Sequence, residues 1–315
     1  MLHTNADIET DVEQSPLSFL WLELTNRCNL QCTHCYAESG PRAGGQDLLE
    51  RSDYKRLMIE AKEIGCRQIQ FIGGEPTLNR NLPAYIEFAV RNGYTFIEVF
   101  SNLTRLDGPL IEAFKTHGVH VATSVYAAAA ETHDAVTRVR GSFNRTMANV
   151  RRLLEADVPV RAGVIEMEQN AGQSEATVRF LRELGVPGVR TDRLRHFGRA
   201  ADDDGGRHMT ELCGSCAGGT VCVAPDGRVS PCIMSKQWSI GDCRTASLAE
   251  IVSGRELQAV RQKIYAAVVA PRHIEPRAES CGPCTPCSPD ANCYPCPPNT
   301  NCPPNQCAPY CVPNR

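Results

Sequence analysis

Apolar and polar positions switch between two periods along the first two-thirds of the chain. The run "FLWLEL" (19–24) is apolar and of strand length. "SDYKRLMIEAKEIG" (52–65) instead spaces Tyr54, Leu57, Met58, Ala61 and Ile64 three and four apart, which puts them on one helical face, with Ser52 as the expected N-cap and Gly65 as the stop. "QIQFIGG" (68–74) reads as a second strand and "LPAYIEFAVRNG" (82–93) as a helix ending in Asn-Gly. "TFIEVFSN" (95–102), "LIEAFKTHG" (110–118) and "HVATSVYA" (120–127) continue the alternation. "SFNRTMANVRRLLEADV" (142–158), "VRAGVIEM" (160–167), "EATVRFLRELG" (175–185) and "GVRTDRLR" (188–195) complete it. Regular alternation of this kind predicts an α/β fold, a parallel sheet with helices outside, and its six units fit a partial (β/α)6 TIM-like barrel. Such barrels carry their working residues at the C-terminal ends of the strands, where Cys28, Gly73, Asn102, Ser124 and Glu166 fall.

Length and charge narrow the classes. At 315 residues the chain exceeds the usual single domain. The expected division is a polar lead (1–17), the barrel (18–200), and a Cys-rich, loop-dominated C-terminal domain with a Pro/Cys-rich tail (201–315). A net charge of −3 builds no basic face, so nucleic acid is not an expected partner. No apolar run approaches the roughly 20 residues that span a bilayer, and the acidic start "MLHTNADIETDVEQSP" is neither a signal nor a transit peptide. A cytoplasmic protein without a membrane partner is expected.

Seventeen cysteines change that picture. A secreted disulfide protein would be small and even in count. Here three cysteines stand at 28, 32 and 35, one at 66, and thirteen from Cys213 onward. Two separate metal-ligating regions account for this better. In "CNLQCTHCYAESG" (28–40) three thiols lie close together with no fourth, whereas structural zinc and four-iron clusters each take four ligands. Three ligands imply an open coordination position. A zinc knuckle borrowing a distant ligand such as His34 is the alternative for the same spacing. Cys66, at a strand start, reads as a small buried hydrophobe.

"CNLQCTHCY" resembles the CxxxCxxC signature of radical S-adenosylmethionine (SAM) enzymes. The resemblance implies a [4Fe–4S] cluster on Cys28, Cys32 and Cys35, its open iron chelated by SAM, with Tyr36 at the family's aromatic position. "GGEP" (Gly73, Gly74, Glu75, Pro76) is similar to the motif that contacts the SAM amino group; its glycines permit close backbone approach, and a cis- or kink-forming proline would fix the turn. "SVYAAAAETHDAVTRVRGSFNRTMANV" resembles the family's fourth strand and following helix, with His133–Asp134 and "GSFNRT" in order. Ser124 and Arg145 thereby match ribose and carboxylate partners of SAM, and an Arg fork suits a carboxylate. By position, Asn102 and Glu166 join the expected cofactor contacts. Where relatives often read "SLDG" this chain has "SVYA", so Tyr126 replaces an acidic residue, which points to a different substrate and makes Tyr126 a candidate catalytic residue.

"CGSCAGGTVCVAPDGRVSPC" (213–232) resembles the first half of the SPASM extension, which binds auxiliary [4Fe–4S] clusters, and "RLRHFGRA" (193–200) resembles the linker into it. "SIGDCRTASLAEIVSGRELQAVRQ" (239–262) matches the helix between its halves. By analogy Cys216, Cys222, Cys232 and Cys296 hold one cluster. Cys284, Cys287 and Cys293 hold the other, with Cys302, Cys307 or Cys311 as fourth ligand; the second half departs from the pattern, since Cys296 follows Cys293 after two residues instead of three. Cys281 is unassigned. A zinc-stabilised or unordered tail is the alternative, because a segment this poor in core-forming residues needs internal staples. Cys213 and Cys243 are spare, and a spare thiol can donate a hydrogen atom to a substrate radical.

The resemblance implies reductive cleavage of SAM to methionine and a 5′-deoxyadenosyl radical, which abstracts hydrogen from substrate, an oxidoreductase-type activity. The leading substrate is a ribosomally made peptide that is crosslinked or oxidised. An electron donor such as flavodoxin or ferredoxin is implied, together with a separate leader-peptide-binding protein, since only about twenty residues precede the first strand. A small-molecule alternative is dehydrogenation or epimerisation of a sugar or aminocyclitol. A non-enzymatic iron–sulfur or zinc protein is the alternative of another class.

Overall fold

The structure, a computed structural model, describes residues 17–201 and 208–271. The chain divides into Met1–Arg272 and His273–Arg315. Everything described belongs to the first unit, so the assignments to Cys281, Cys284, Cys287, Cys293, Cys296, Cys302, Cys307 and Cys311 lie outside the described residues.

Six strands alternate with helices as the pattern requires: β1 (Phe19–Glu23), α1 (Arg51–Glu63), β2 (Gln68–Ile72), α2 (Leu82–Arg91), β3 (Phe96–Phe100), α3 (Gly108–Thr116), β4 (His120–Ser124), α4 (Ala130–Thr137), α5 (Ser142–Glu155), β5 (Val160–Glu166), α6 (Ser174–Glu183) and β6 (Gly188–Arg193). β7 (Thr220–Val223), β8 (Arg228–Ser230), β9 (Gly241–Asp242), α7 (Leu248–Ser253) and α8 (Arg255–Ile264) follow. The strands form one sheet ordered β6-β5-β4-β3-β2-β1-β7-β8-β9. β1 to β6 are mutually parallel, the sheet of a partial TIM-like barrel. β7 adds to the far side of β1 in parallel, with Trp21 opposite Cys222, and β8 and β9 continue antiparallel.

Alternation along each strand separates two faces. Leu20, Leu22, Ile69, Phe71, Val99 and Val121 are fully buried in the main core with Leu57, Met58, Ile86, Phe114 and Val150 from the helices. The opposite face is polar. Trp21, Gln70 and Glu98 align across β1, β2 and β3, and buried Glu98 accepts from Gln70 and, at 2.6 and 2.7 Å, from both arms of Arg161 on β5. A buried carboxylate is tolerable because that bidentate pair compensates its desolvation.

α1 corrects one expectation. Its N-cap is Glu50, not Ser52, because Glu50 and Asp53 form a reciprocal capping box. Gly65 ends the helix at φ +102°, a conformation open to glycine.

Candidate active site

The cysteine loop leaves the end of β1 and is held by backbone hydrogen bonds from several elements. The Cys28 N–H donates to Gly40 O at 3.1 Å, closing the loop on itself. Gln31 and Thr33 N–H groups donate to Thr137 O and Val136 O at 3.1 and 2.9 Å, so the carbonyls that α4 leaves open at its C-terminus are satisfied by the loop. Asp134 of α4 accepts from Ser142 Oγ and Phe143 N–H at 2.7 and 2.8 Å, fixing the start of α5; burial opposes its charge, but these bonds hold its carboxyl below the usual range.

The "GGEP" loop docks on the same run-in. Gly74 N–H donates to Thr25 O at 2.7 Å and Glu75 N–H to Arg27 O at 2.9 Å. A Cβ on Gly74 would stand 2.1 Å from Arg27 O, so only glycine permits this approach. Gly73 lies at φ +130° against Thr25 O. Pro76 fixes the turn as the first residue of a 3₁₀ turn (Pro76–Leu78), and no peptide bond among the described residues is cis. Buried Glu75 accepts from Thr77 N–H (3.0 Å), Thr77 Oγ1 (2.7 Å), Ser101 Oγ (2.8 Å) and Asn102 N–H (2.8 Å), which ties this loop to the end of β3. Asn102 Nδ2 then donates to Asn29 Oδ1 at 2.9 Å and approaches Cys28 Sγ at 3.6 Å. Three strand-end loops thus converge on Cys28.

The thiols share one surrounding. Burial pushes Cys28 and Cys32 each up to about 12, with neighbouring thiols adding to the rise in both. Tyr126 is buried, its hydroxyl bonded to Cys32 and Ser124, and its ring meets His34 at 4.8 Å and His133 at 5.2 Å between centroids. Tyr126 therefore packs on the cysteine loop. On the other side, Tyr36 Oη donates to Glu23 Oε1 at 3.2 Å, and Lys236 Nζ pairs with Glu23 Oε2 at 2.5 Å. Cys222 is buried beside this group; burial first, then Glu23, raises its pKa.

Other expected residues lie apart. Arg145, in the first turn of α5, is exposed, with its Nη2 3.4 Å from Arg140 O. Glu166, at the end of β5, is exposed and its carbonyl accepts from Leu194 N–H at 2.9 Å. Buried Cys243 lies toward α1, its carbonyl accepting from Arg56 Nη2 at 2.8 Å; burial pushes its thiol up to about 11. Cys66 is buried, its Sγ on Gln68 O at 3.2 Å. Cys216 and Cys232 sulfurs stand 3.0 Å apart, and exposed Cys213 bonds to Cys216, which pulls Cys213 down to about 5.

Glu23, Asn29, Lys236 and Arg199 were not singled out from sequence. Glu23 carried one signal, an acid inside an apolar strand; the others are brought in by loops whose paths no periodicity reports.

The residues present fit a cluster. Among the described residues no three or more His, Cys, Asp or Glu side chains gather closely enough for a single metal ion. Thiolates at separate corners of a four-iron cluster need not converge on one point. Six buried side-chain N or O atoms lack a hydrogen-bond partner among the described residues, and three of them, Thr33 Oγ1, His34 Nδ1 and Ser39 Oγ, belong to the cysteine loop, while a fourth, Arg199 Nη2, sits on a side chain bonded to it. Such groups call for donors or acceptors from outside the described residues, as a bound cluster and its ligand would supply.

A parallel partial barrel with a three-cysteine loop at its C-terminal mouth defines a class, and comparison with known proteins agrees. The radical SAM superfamily model matches residues 22–181 and that of the SPASM iron–sulfur cluster-binding domain residues 213–288. The chain belongs to the radical SAM superfamily and carries a SPASM domain; it is an enzyme of a class that works with [4Fe–4S] clusters and SAM. It is 24% identical over 253 residues to the antilisterial bacteriocin subtilosin biosynthesis protein AlbA of Bacillus subtilis, covering 70% of this chain and 56% of that protein. It is 28% identical over 191 residues to the PqqA peptide cyclase of Granulibacter bethesdensis, covering 59% and 49%. Among solved structures, Streptococcus suis SuiB bound to precursor peptide SuiA superposes with a TM-score of 0.64 at 12% identity over 81% of this chain and 69% of that one, a likeness of fold. The chain spans about half the length of the relatives it matches in sequence. Among the described residues no helix is long and apolar enough to cross a membrane.

Proposed function

We propose that this chain modifies a ribosomally made peptide by radical chemistry, forming a crosslink or oxidising it, with electrons from a flavodoxin- or ferredoxin-type donor. The observation that carries the reading is the convergence of the Cys28–Cys35 loop, the Gly73–Pro76 loop and Asn102 at the ends of β1, β2 and β3. Cys28, Cys32 and Cys35 would hold the cluster. When bound, cluster and SAM supply reductive cleavage of the sulfonium and a carbon radical able to take hydrogen from an unactivated C–H bond.

The chain's own residues prepare the place. The glycines of "GGEP" let its backbone dock directly on the run-in to the cysteine loop, which sets the position of one loop against the other. Glu75, engaged by four donors, holds that loop and Asn102 in one geometry. Ser124, at the end of β4, would offer a hydroxyl to the ribose, whereas Arg145, exposed in the first turn of α5, would have to turn from Arg140 O to reach the carboxylate. Tyr126 and His133 wall the cysteine loop with aromatic surface and keep water from it. A peptide substrate is supported by the named roles of AlbA and the PqqA peptide cyclase.

Anaerobically reconstituted protein should release 5′-deoxyadenosine from SAM under reduction, and replacing Cys28, Cys32 and Cys35 with alanine should abolish it. Short peptides encoded beside this gene, co-expressed with it, should lose the mass of two hydrogens; unchanged peptides alongside SAM cleavage would turn the assignment to another substrate class.

A further inference from the structure

Arg199 grips the cysteine loop in two places. Its Nε donates to Cys32 O at 2.7 Å, and its backbone N–H donates to Cys35 O at 3.1 Å. The preceding Gly198, at φ +56°, lets the two backbones meet: a Cβ there would stand 2.4 Å from Cys35 O and 2.5 Å from Tyr36 O. The guanidinium is therefore fixed against the loop, yet its Nη2 is buried with no hydrogen-bond partner among the described residues. A buried donor left unmade is costly, more so on a charged group. The acceptor it lacks is not among the described residues, and the guanidinium is anchored 2.7 Å from the carbonyl of Cys32, a residue that would hold a cluster corner. A cluster held at Cys32 would bring sulfur acceptors beside the guanidinium.

We infer that Arg199 is a positioning residue for the cysteine-loop cluster: Nη2 hydrogen-bonds a sulfur at the Cys32 corner, and the fixed cation raises the cluster's reduction potential. Hydrogen bonds to sulfur and nearby charge are established determinants of cluster potentials. The sign follows from Coulomb's law, since reduction adds a negative charge beside a guanidinium held in a water-poor setting. Arg suits the task because it stays charged and its planar fork can serve the Cys32 carbonyl and a sulfur together. The inference rests on a cluster being held by Cys28, Cys32 and Cys35, as proposed above.

The test is an EPR-monitored reductive titration of the full, anaerobically reconstituted chain, with iron counted on the same samples. The signal followed is the one that changes on adding SAM. Arg199→Gln should keep its iron while the reduction equilibrium weakens about tenfold, equivalent to a midpoint about 59 mV more negative. Arg199→Lys, which keeps the charge without the fork, should recover at least half of that shift. An unmoved midpoint in a fully loaded Gln variant overturns the inference and leaves Arg199 a backbone latch. A Lys variant as negative as the Gln variant also overturns it. If Arg199→Gln takes up no iron, Arg199→Met replaces it with the same expected shift; uptake with Lys but with neither neutral residue is the same charge requirement met at assembly. Absence of a SAM-sensitive signal in the wild type would instead refute the cluster assignment itself, a separate failure.

Discussion

At the scale of single residues, His133 shows how burial writes a pH dependence. It is fully buried, and its Nδ1 accepts from Tyr126 N–H at 3.3 Å. Burial lowers its pKa from 6.5 to about 4, with Asp134 opposing only in part. The unfolded chain therefore binds a proton near pH 6.5 that the folded one refuses until about pH 4. Stability should fall as pH drops through that window, by up to about 1.4 kcal/mol per unit, and level off below it. Denaturant midpoints between pH 7.5 and 5.5 check this, as a range of about two units. His133→Gln, which keeps a polar acceptor without the titration, should flatten this part of the slope; an equally steep variant would assign it to other groups.

At the scale of elements, the strand ends matter more than the strands. Binary pattern made β1 to β6 and most of the helices legible, because each strand buries one face against helices whose apolar residues recur at helical spacing. Lys236 and Arg199, on connecting segments, and the addition of β7 to β1 were not legible, since they join residues far apart in sequence through single side-chain contacts and a strand pairing that leave no periodic mark. α4 was legible only through family likeness: Ala130–Thr137 carries few apolar residues, and its last carbonyls are satisfied by the cysteine loop. Within the site, "CNLQCTHCY" and "GGEP" announced themselves, whereas the burial of Tyr126 against Cys32 depends on the path of the loop. One element-scale prediction follows from the closest approach. Gly74→Ala puts a methyl where Arg27 O already sits, so the "GGEP" loop must lift from the cysteine loop. SAM affinity should drop at least about tenfold, roughly the 1.4 kcal/mol of one lost hydrogen bond. Equilibrium binding to the reconstituted chain checks it, and wild-type affinity would show that the two loops dock independently.

At the scale of the whole molecule, one sheet carries both sets of cysteines. Cys28, Cys32 and Cys35 hang from the end of β1, while Cys213, Cys216, Cys222 and Cys232 surround β7 and β8 on its other flank. Replacing the first three with alanine removes side chains from a loop beyond the strand, so the β1–β7 pairing that supports the second set should persist. Iron in the two regions should accordingly be separable. Soft thiolates in excess of the eight that two fully ligated four-iron clusters need suit two auxiliary clusters in the SPASM region. The reconstituted wild type should then hold about twelve irons and the triple variant about eight, in [4Fe–4S] form by Mössbauer spectroscopy. About four in the variant would mean a single auxiliary cluster, with the surplus cysteines in other roles. Near zero, with stoichiometric zinc, would remove electron transfer from the C-terminal region and leave its thiolates a structural staple. With SAM cleavage assigned to the first set, the same triple variant is expected to lose 5′-deoxyadenosine release whichever iron count is found.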